Sequence, residues 1–215
     1  MFCDNVGVAM ATVKITTHGA KRIRNGHLWV YRSDVRDAGE AEGGAVVRVV
    51  DEAANSVGAA FYSDQSEIAL RFLTTSEETV DHEWWRARLR QCAERRASTT
   101  RETNAYRMVY SEGDLLPSLI VDVYDKVFVM QTLSQGAEQL KNMLAELLVE
   151  EFKPRAIVER NDARVRELEG LERRTGTLYE RVTEPGAAMG SYQSSRAHDP
   201  VATALGSDKI GRAHV

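Results

Sequence analysis

The sequence predicts an α+β protein with an amino-terminal β-barrel-like module, a connecting helix and a small mixed domain. Two observations support this class: strand-like runs separated by turns fill the first third of the chain, and residues 79–97 then change to helical periodicity. A hairpin leading into a second helix follows in residues 111–138. At 215 residues, 43% hydrophobic and 28% charged, the chain has room for two small domains.

In the amino-terminal module, residues 13–16 form a short predicted strand and residues 19–25 a turn of helix. Strand-like runs follow at residues 45–51, 56–62 and 67–73, and the last run alternates with a period of two. Several short strands with one small helix are typical of a compact β-barrel-like module.

A basic cluster lies in and after the predicted helix of this module. Lysine and arginine neutralise phosphates, glycine lets a backbone approach closely, and aromatic rings stack on bases. The alternative is a solvated helix face followed by a core strand that Trp29 anchors, and these residues taken alone favour that alternative. The candidate nucleic-acid contacts are Lys21, Arg22, Arg24, Gly26, His27 and Arg32.

The predicted helix over residues 79–97 has one apolar stripe and one basic face. Thr79 or Asp81 is suited to cap its amino end. Cys92 lies on the apolar stripe with no histidine or lysine at helical spacing, which predicts a packed thiol rather than a nucleophile. Residues 98–104 are polar and predict a linker. The basic face consists of Arg86, Arg88, Arg90, Arg95 and Arg96.

The second domain is predicted from a strand, a hairpin, a helix and another strand. Asp122 is the one charge inside the first hairpin strand, so it needs a partner, a sheet edge or solvent. Pro154 ends the amphipathic helix. The predicted strands are residues 106–110, 119–123, 127–133 and 156–159, and the predicted helices are residues 136–152 and, as a short charged segment, 162–169.

Composition excludes several classes of function. The net charge of −4 and pI near 5.8 exclude a uniformly basic protein but allow a local basic patch. Cys3 and Cys92 are isolated and the histidines are scattered, so we expect no metal site, no disulfide framework and a reducing, cytoplasmic location. No apolar run approaches the roughly 18 to 20 residues needed to cross a bilayer, so we expect no membrane partner.

No familiar catalytic motif is present: the sequence lacks GxGxxG, GxxxxGK[ST], GxSxG and HExxH. Glu112, Asp114 and Asp122 would be the candidates for acid/base catalysis, but acidic residues in turns are more often solvated or capping. The sequence therefore predicts a binding function without a reaction centre.

Three segments in collinear order, residues 19–35, 106–138 and 157–172, resemble the bacterial class I S-adenosylmethionine-dependent 23S rRNA 5-methylcytosine methyltransferases. The resemblance extends from about Ala11 to Val182. It implies a PUA-like RNA-binding pseudobarrel over residues 11–76, a linker helix over 77–104 and an α+β middle domain over 105–182. It also favours an RNA-facing role for the basic cluster.

The resemblance implies 23S ribosomal RNA as the partner, S-adenosylmethionine as the cofactor of a longer parent protein, and a homodimer of that parent. In the family a catalytic cysteine attacks C6 of cytosine, C5 accepts the methyl group, and a base removes the C5 proton. Cys3 and Cys92 fall outside the stretch where that cysteine belongs, so no residue here receives a catalytic or cofactor-binding role.

The leading hypothesis is therefore the RNA-binding amino-terminal part of such a methyltransferase, inactive without a methyltransferase domain that follows. A stand-alone PUA-type RNA-binding or adaptor protein is the alternative from another class. A small acid/base enzyme using Glu112 and Asp122 is a third possibility.

The family pattern stops near Glu184, and residues 183–215 predict a non-native or disordered tail because they are aperiodic and rich in Gly, Ser and Ala. The last six residues, 210–215, have the sequence that a common sequencing-library adapter would encode. The alternative is a chance hexapeptide in a disordered carboxyl terminus.

Overall fold

The structure, a computed structural model, describes residues 10–181. These residues contain two sheets, each with its own buried core. The mixed architecture confirms the predicted α+β class. The tail predicted for residues 183–215 lies outside the described residues. Within residues 10–181, no helix combines the length and the apolar character needed to cross a bilayer.

The first sheet has six strands in the order β2-β6-β5-β4-β1-β3, with β1 parallel to β4 and the other pairs antiparallel. Its strands and helix are β1 (Thr12–Ile15), α1 (Thr17–Arg24), β2 (Trp29–Tyr31), β3 (Val35–Asp37), β4 (Val46–Val50), β5 (Ser56–Tyr62) and β6 (Ile68–Thr74), with a 3-10 turn at Arg32–Asp34. Alternation places Val13 and Ile15 of β1 in the core, while Thr12 and Lys14 face outward.

The edge strand β2 differs from its sequence prediction. Val30 is buried at 1% exposure, whereas Trp29 and Tyr31 on either side are each 38% exposed. The expectation that Trp29 anchors a core strand is therefore wrong. The period of two accounts for this, because only the middle residue of the three can point inward.

The second sheet has five strands in the order β11-β10-β9-β8-β7, with β9 and β10 parallel. The strands are β7 (Ala105–Tyr110), β8 (Leu119–Tyr124), β9 (Val127–Thr132), β10 (Ala156–Asn161) and β11 (Arg174–Glu180). The helices are α2 (His82–Arg95), α3 (Gln135–Gln139) and α4 (Lys141–Phe152), and 3-10 turns lie at Thr99–Arg101, Ser111–Asp114 and Arg164–Glu169.

Three elements of this half differ from prediction. The single helix expected over residues 136–152 is divided at Leu140 into α3 and α4. The charged segment before β11 is a 3-10 turn, and β11 itself was not predicted. β11 pairs with β10, and Ile157 lies opposite Tyr179. This pairing supplies backbone hydrogen bonds that no local sequence pattern predicts.

Helix α2 belongs to the second core rather than standing free as a linker. The side chain of Asp81 accepts a hydrogen bond from the Trp84 backbone N–H at 2.8 Å, which confirms it as the amino-terminal cap. Trp85, Leu89 and Cys92 are at most 3% exposed and pack with residues of β7, β8 and α4. The predicted burial of the Cys92 thiol is thus confirmed.

The first sheet contacts α2 and the 3-10 turn before β11 through buried side chains. Phe61 of β5 stacks on Trp85 with ring centroids 5.8 Å apart and planes at 16°. Arg71 of β6 forms an ion pair with Glu169 at 2.7 Å, and both side chains are buried. Breaking such a pair would leave an uncompensated buried charge, so it favours one arrangement of the sheets.

Candidate nucleic-acid interface

Helix α1 presents its cations at its carboxyl end. The Thr16 hydroxyl accepts a hydrogen bond from the Gly19 N–H at 2.9 Å and so caps the amino end. Ala20 and Ile23 are buried against the first sheet, which leaves Lys21, Arg22 and Arg24 in the last turn. Positive charge there is favourable because it complements the carboxyl end of the helix dipole.

The three cations have different surroundings. Among residues 10–181, no ion pair includes Lys21 or Arg22, and Lys21 is exposed. The Arg22 guanidinium lies 5.3 Å from the centre of the Tyr31 ring. Arg24 donates a hydrogen bond to Asp51 at 2.8 Å, and this bond, with others from Asn55 and Ala53, lowers the pKa of Asp51 to about 2.

The turn after α1 exposes backbone and an imidazole. Gly26 has φ +92°, the left-handed region that glycine adopts without strain, and an added Cβ would meet nothing within 4 Å. The His27 N–H donates to the Arg22 carbonyl at 3.1 Å, and the His27 side chain is exposed. The structure thus brings Gly26 and His27 beside the helix cations.

Arg32 has a different environment from the rest of the predicted cluster. Its guanidinium donates to the carbonyls of Ser63 and Ser66 at 2.9 and 2.6 Å. Arg32 therefore links the end of β2 to the turn between β5 and β6, and its Nη2 atom is engaged in these two hydrogen bonds.

A group of exposed aromatic residues lies next to this cluster; the sequence offers the two aromatics after Gly26 as rings that stack on bases, whereas it gives no signal for Tyr110. Trp29 and Tyr31 are 38% exposed on β2, and Tyr110 at the end of β7 is 57% exposed. The indole N–H of Trp29 donates to Glu112 at 3.3 Å, which links β2 to the turn after β7. Alternation in Trp29-Val30-Tyr31 was the available signal, since it places both rings on one face.

The three acidic candidates for catalysis are engaged in structural contacts. Asp122 accepts hydrogen bonds from Arg107 at 2.7 and 3.0 Å, which supplies the partner that its place in a strand required. Glu112 accepts from the Trp29 indole and the Ser111 hydroxyl. Asp114 is 3% exposed and accepts from Arg96 at 2.7 and 2.8 Å. Burial opposes ionisation of Asp114, but the bonds from Arg96 and the Tyr110 N–H outweigh it and lower its pKa.

The basic face of α2 is neutralised by carboxylates. Arg90 donates to Glu151 at 2.9 Å, and the same carboxylate accepts from Arg86. The hydrogen bonds that Arg86 donates to Glu151 and Glu150 raise the pKa of Arg86. Arg88 meets Glu78, while Arg95 and Arg96 meet Asp114. On the opposite stripe, burial raises the pKa of the Cys92 thiol to about 11, with Asp114 contributing.

Comparison with known proteins agrees with this architecture. Residues 13–75 match the family model described as a PUA-like domain. The chain is 34% identical over 163 residues to ribosomal RNA large subunit methyltransferase I of Alteromonas mediterranea, covering 74% of this chain and 41% of that protein. The protein of the same name from Aliivibrio fischeri is 36% identical over 163 residues, with 74% and 41% covered.

A third relative of that name, from Tolumonas auensis, is 34% identical over 175 residues and covers 80% of this chain. The chain spans less than half the length of these relatives: 41% for the first two and 44% for the third.

Solved structures share the fold. A protein described as a methyltransferase, complexed with SAH, superposes with a TM-score of 0.67 at 15% identity, covering 81% of this chain and 44% of its own. A protein from Streptococcus mutans described as a SAM-dependent methyltransferase gives a TM-score of 0.65 at 14% identity, with 81% and 44% covered. This chain therefore contains a PUA-like domain and is homologous to ribosomal RNA large subunit methyltransferase I.

Proposed function

We propose that residues 10–181 bind large-subunit ribosomal RNA through the carboxyl end of α1 and the Gly26–His27 turn. In this proposal they are the RNA-recognition part of an S-adenosylmethionine-dependent cytosine-C5 methyltransferase acting on 23S rRNA. A cytoplasmic location and a homodimer of the longer protein accompany it. The observation that carries the proposal is that Lys21 and Arg22, inside the PUA-like domain, are free of the carboxylate partners that neutralise α2.

Each predicted contact then has a distinct role. Lys21 and Arg22 contact phosphates, because they lose no ion pair on doing so. Arg24 shares its charge with Asp51 and contributes less. Gly26 lets the RNA backbone approach, and His27 adds a hydrogen bond. Arg32 holds the turn between β5 and β6 in place beside them.

Methyl transfer belongs outside the described residues in this proposal. A cysteine that attacks cytosine must be accessible and must ionise near neutral pH. Within residues 10–181 the cysteine is Cys92, which is 1% exposed and has its pKa raised to about 11 by burial. It cannot serve as that nucleophile, which supports a recognition role for this part of the chain.

In this proposal S-adenosylmethionine also binds outside the described residues. A class I site needs a glycine-containing strand-to-helix turn and a pocket that encloses most of the ligand. Residues 10–181 contain an open polar depression along residues 100–104 and an open one between α4 and β11, and no glycine lines either. We therefore assign no cofactor contact to any of these residues.

The test is RNA binding by the triple variant Lys21→Gln, Arg22→Gln, Arg24→Gln. With a 23S rRNA fragment, we expect the magnitude of the slope of log affinity against log salt to fall by about 1.4, since losing the Lys21 and Arg22 contacts removes roughly 0.7 each while Arg24 is paired with Asp51. Fluorescence anisotropy across a salt series measures it.

The matched control changes three exposed cations of the second sheet, Lys126→Gln, Arg155→Gln and Arg164→Gln, and therefore alters the net charge equally. We expect its slope to stay at the wild-type value. An equal fall in slope for the two variants would refute the α1 site, because the RNA would then be responding to net charge alone.

A further inference from the structure

Three large aromatic side chains are exposed on β2 of the first sheet and at the end of β7 of the second sheet. Trp29 and Tyr31 lie on the outer side of β2, and Tyr110 ends β7 of the other sheet. Fully burying a side chain of this size would stabilise a protein by about 2 kcal/mol, so leaving three in contact with water is a cost that folding does not explain. We call Trp29, Tyr31 and Tyr110 the aromatic strip.

The rings are held in place. Glu112 accepts hydrogen bonds from the Trp29 indole at 3.3 Å and from the Ser111 hydroxyl, which ties the ring of β2 to the turn after β7. In that turn, a Cβ added to Gly113 would lie 2.8 Å from a ring carbon of Tyr110, so a glycine is needed where the ring lies. The strip thus includes residues of both sheets, and the hydrogen bond from Trp29 to Glu112 joins β2 to the turn after β7.

Guanidinium groups accompany two of the rings. The Arg22 guanidinium lies 5.3 Å from the Tyr31 ring centre, and that of Arg107 lies 5.5 Å from the Tyr110 ring centre. Arg107 is oriented by its paired bonds to Asp122, while Arg22 forms no ion pair among residues 10–181. Two of the three rings therefore have a guanidinium beside them, and Arg22 joins the strip to the phosphate contacts proposed on α1.

We propose that the aromatic strip binds an unpaired, single-stranded segment of RNA, with bases stacked on Trp29, Tyr31 and Tyr110. This rests on the proposed function, and it adds the class of RNA and a contribution from the second sheet. Bases in a duplex are already stacked on each other and cannot reach protein rings, whereas unpaired bases can. Stacking tolerates any base, so the strip selects strandedness rather than sequence.

The first measurement is tryptophan fluorescence during titration with polyuridine. Trp29 is 38% exposed, whereas Trp84 and Trp85, the other tryptophans of the chain, are 8% and 3% exposed. A base stacked on Trp29 should quench the exposed component of the emission. In Trp29→Phe the quench should vanish while binding persists, because phenylalanine keeps an aromatic face.

The second measurement is affinity for polyuridine and for a duplex RNA, in the full-length chain. Trp29→Leu, Tyr31→Leu and Tyr110→Leu should each weaken polyuridine binding by about 5- to 100-fold, the range expected for one lost base stack. The salt slope should not change, since no charge is removed. Tyr124→Leu is the control: Tyr124 is 55% exposed but lies at the opposite end of the β7–β8 pair from Tyr110.

The outcomes separate the two proposals. Circular dichroism first shows that the leucine variants are folded. If these variants bind polyuridine as the wild type does, base stacking on the aromatic strip is refuted, whereas the proposed α1 site is unaffected. Duplex binding as tight as polyuridine binding would also overturn the strip. If the wild type binds neither RNA, the proposed function itself fails.

Discussion

Helices α1 and α2 both carry several cations, but within residues 10–181 carboxylates pair with the arginines of α2 and leave two cations of α1 without an ion pair. On α2, Arg86 and Arg90 share the carboxylate of Glu151, and Arg96 bonds Asp114. On α1, Arg24 is paired with Asp51, whereas Lys21 and Arg22 have no ion pair within residues 10–181. The comparison shows that the number of cations on a helix does not by itself say how many of them are unpaired, and our proposal places the RNA contacts on the unpaired ones.

The physical reason lies in what RNA would have to displace. A phosphate approaching Arg90 competes with a carboxylate already bonded at 2.9 Å and is repelled by that carboxylate's charge. A phosphate approaching Lys21 displaces only water and mobile ions, and their release favours binding. The difference between α1 and α2 can therefore be tested by removing carboxylates.

The largest effect is expected from Asp114→Asn, which removes the buried partner of Arg95 and Arg96. Asp114 is 3% exposed, and losing one member of such a pair leaves charge uncompensated, so the free energy of unfolding should fall by about 3 kcal/mol. Urea denaturation measures it. The matched variant Asp122→Asn breaks a more exposed ion pair with Arg107 and should lower the free energy of unfolding by at most about 1 kcal/mol.

Equal losses of unfolding free energy in Asp114→Asn and Asp122→Asn would contradict the assignment of Asp114 to a buried structural ion pair. The α2 arginines would then be only loosely held, and the contrast with α1 would weaken.

The second prediction concerns a substitution that removes a carboxylate partner from a cation of α2, so that this cation becomes unpaired like Lys21 and Arg22 of α1 within residues 10–181. Glu151→Gln leaves Arg90 without its carboxylate partner, whereas Arg86 keeps its ion pairs with Glu150 and Glu83, so the salt slope of RNA binding should rise by up to about 0.7. Fluorescence anisotropy across a salt series reports it. Glu146→Gln is the control, since the Glu146 side chain is exposed and joins no ion pair in the described part of the chain.

A slope that rises equally in Glu146→Gln and Glu151→Gln would show that net charge governs binding. Pairing would then not distinguish the two helices.

The smallest effect concerns Arg24 on α1 itself. The pKa of Asp51 is lowered to about 2 by its bond from Arg24, so this pair is fully present above the unfolded value of about 3.9 and is lost as pH falls through about 2. Arg24 thus stays paired at every pH suited to RNA binding. Asp51→Asn should release it and raise the salt slope by about 0.7 or less.

The same substitution keeps an acceptor for the N–H groups of Ala53 and Asn55, which Asp51 now bonds at 3.0 and 2.9 Å. A melting temperature near the wild-type value would show that this turn is preserved. An unchanged salt slope in such a folded variant would separate Arg24 from the RNA surface.

The sequence predicted most strands and the ends of several helices because these depend on local patterns. The period of two in residues 67–73 predicted β6, and the side chain of Asp81 predicted the start of α2. The apolar stripe of α2 likewise predicted that Cys92 is buried. The strand β11 was missed, since an exposed edge strand has little apolar alternation to detect.

The sequence by itself determined the α+β class, the positions of the basic clusters and the resemblance to rRNA methyltransferases. Only the tertiary structure decided which cations are paired and which rings remain exposed. Arg90 meets a carboxylate 61 positions away and Trp29 one 83 positions away. Such contacts depend on how the sheets and helices pack, and no local periodicity encodes them.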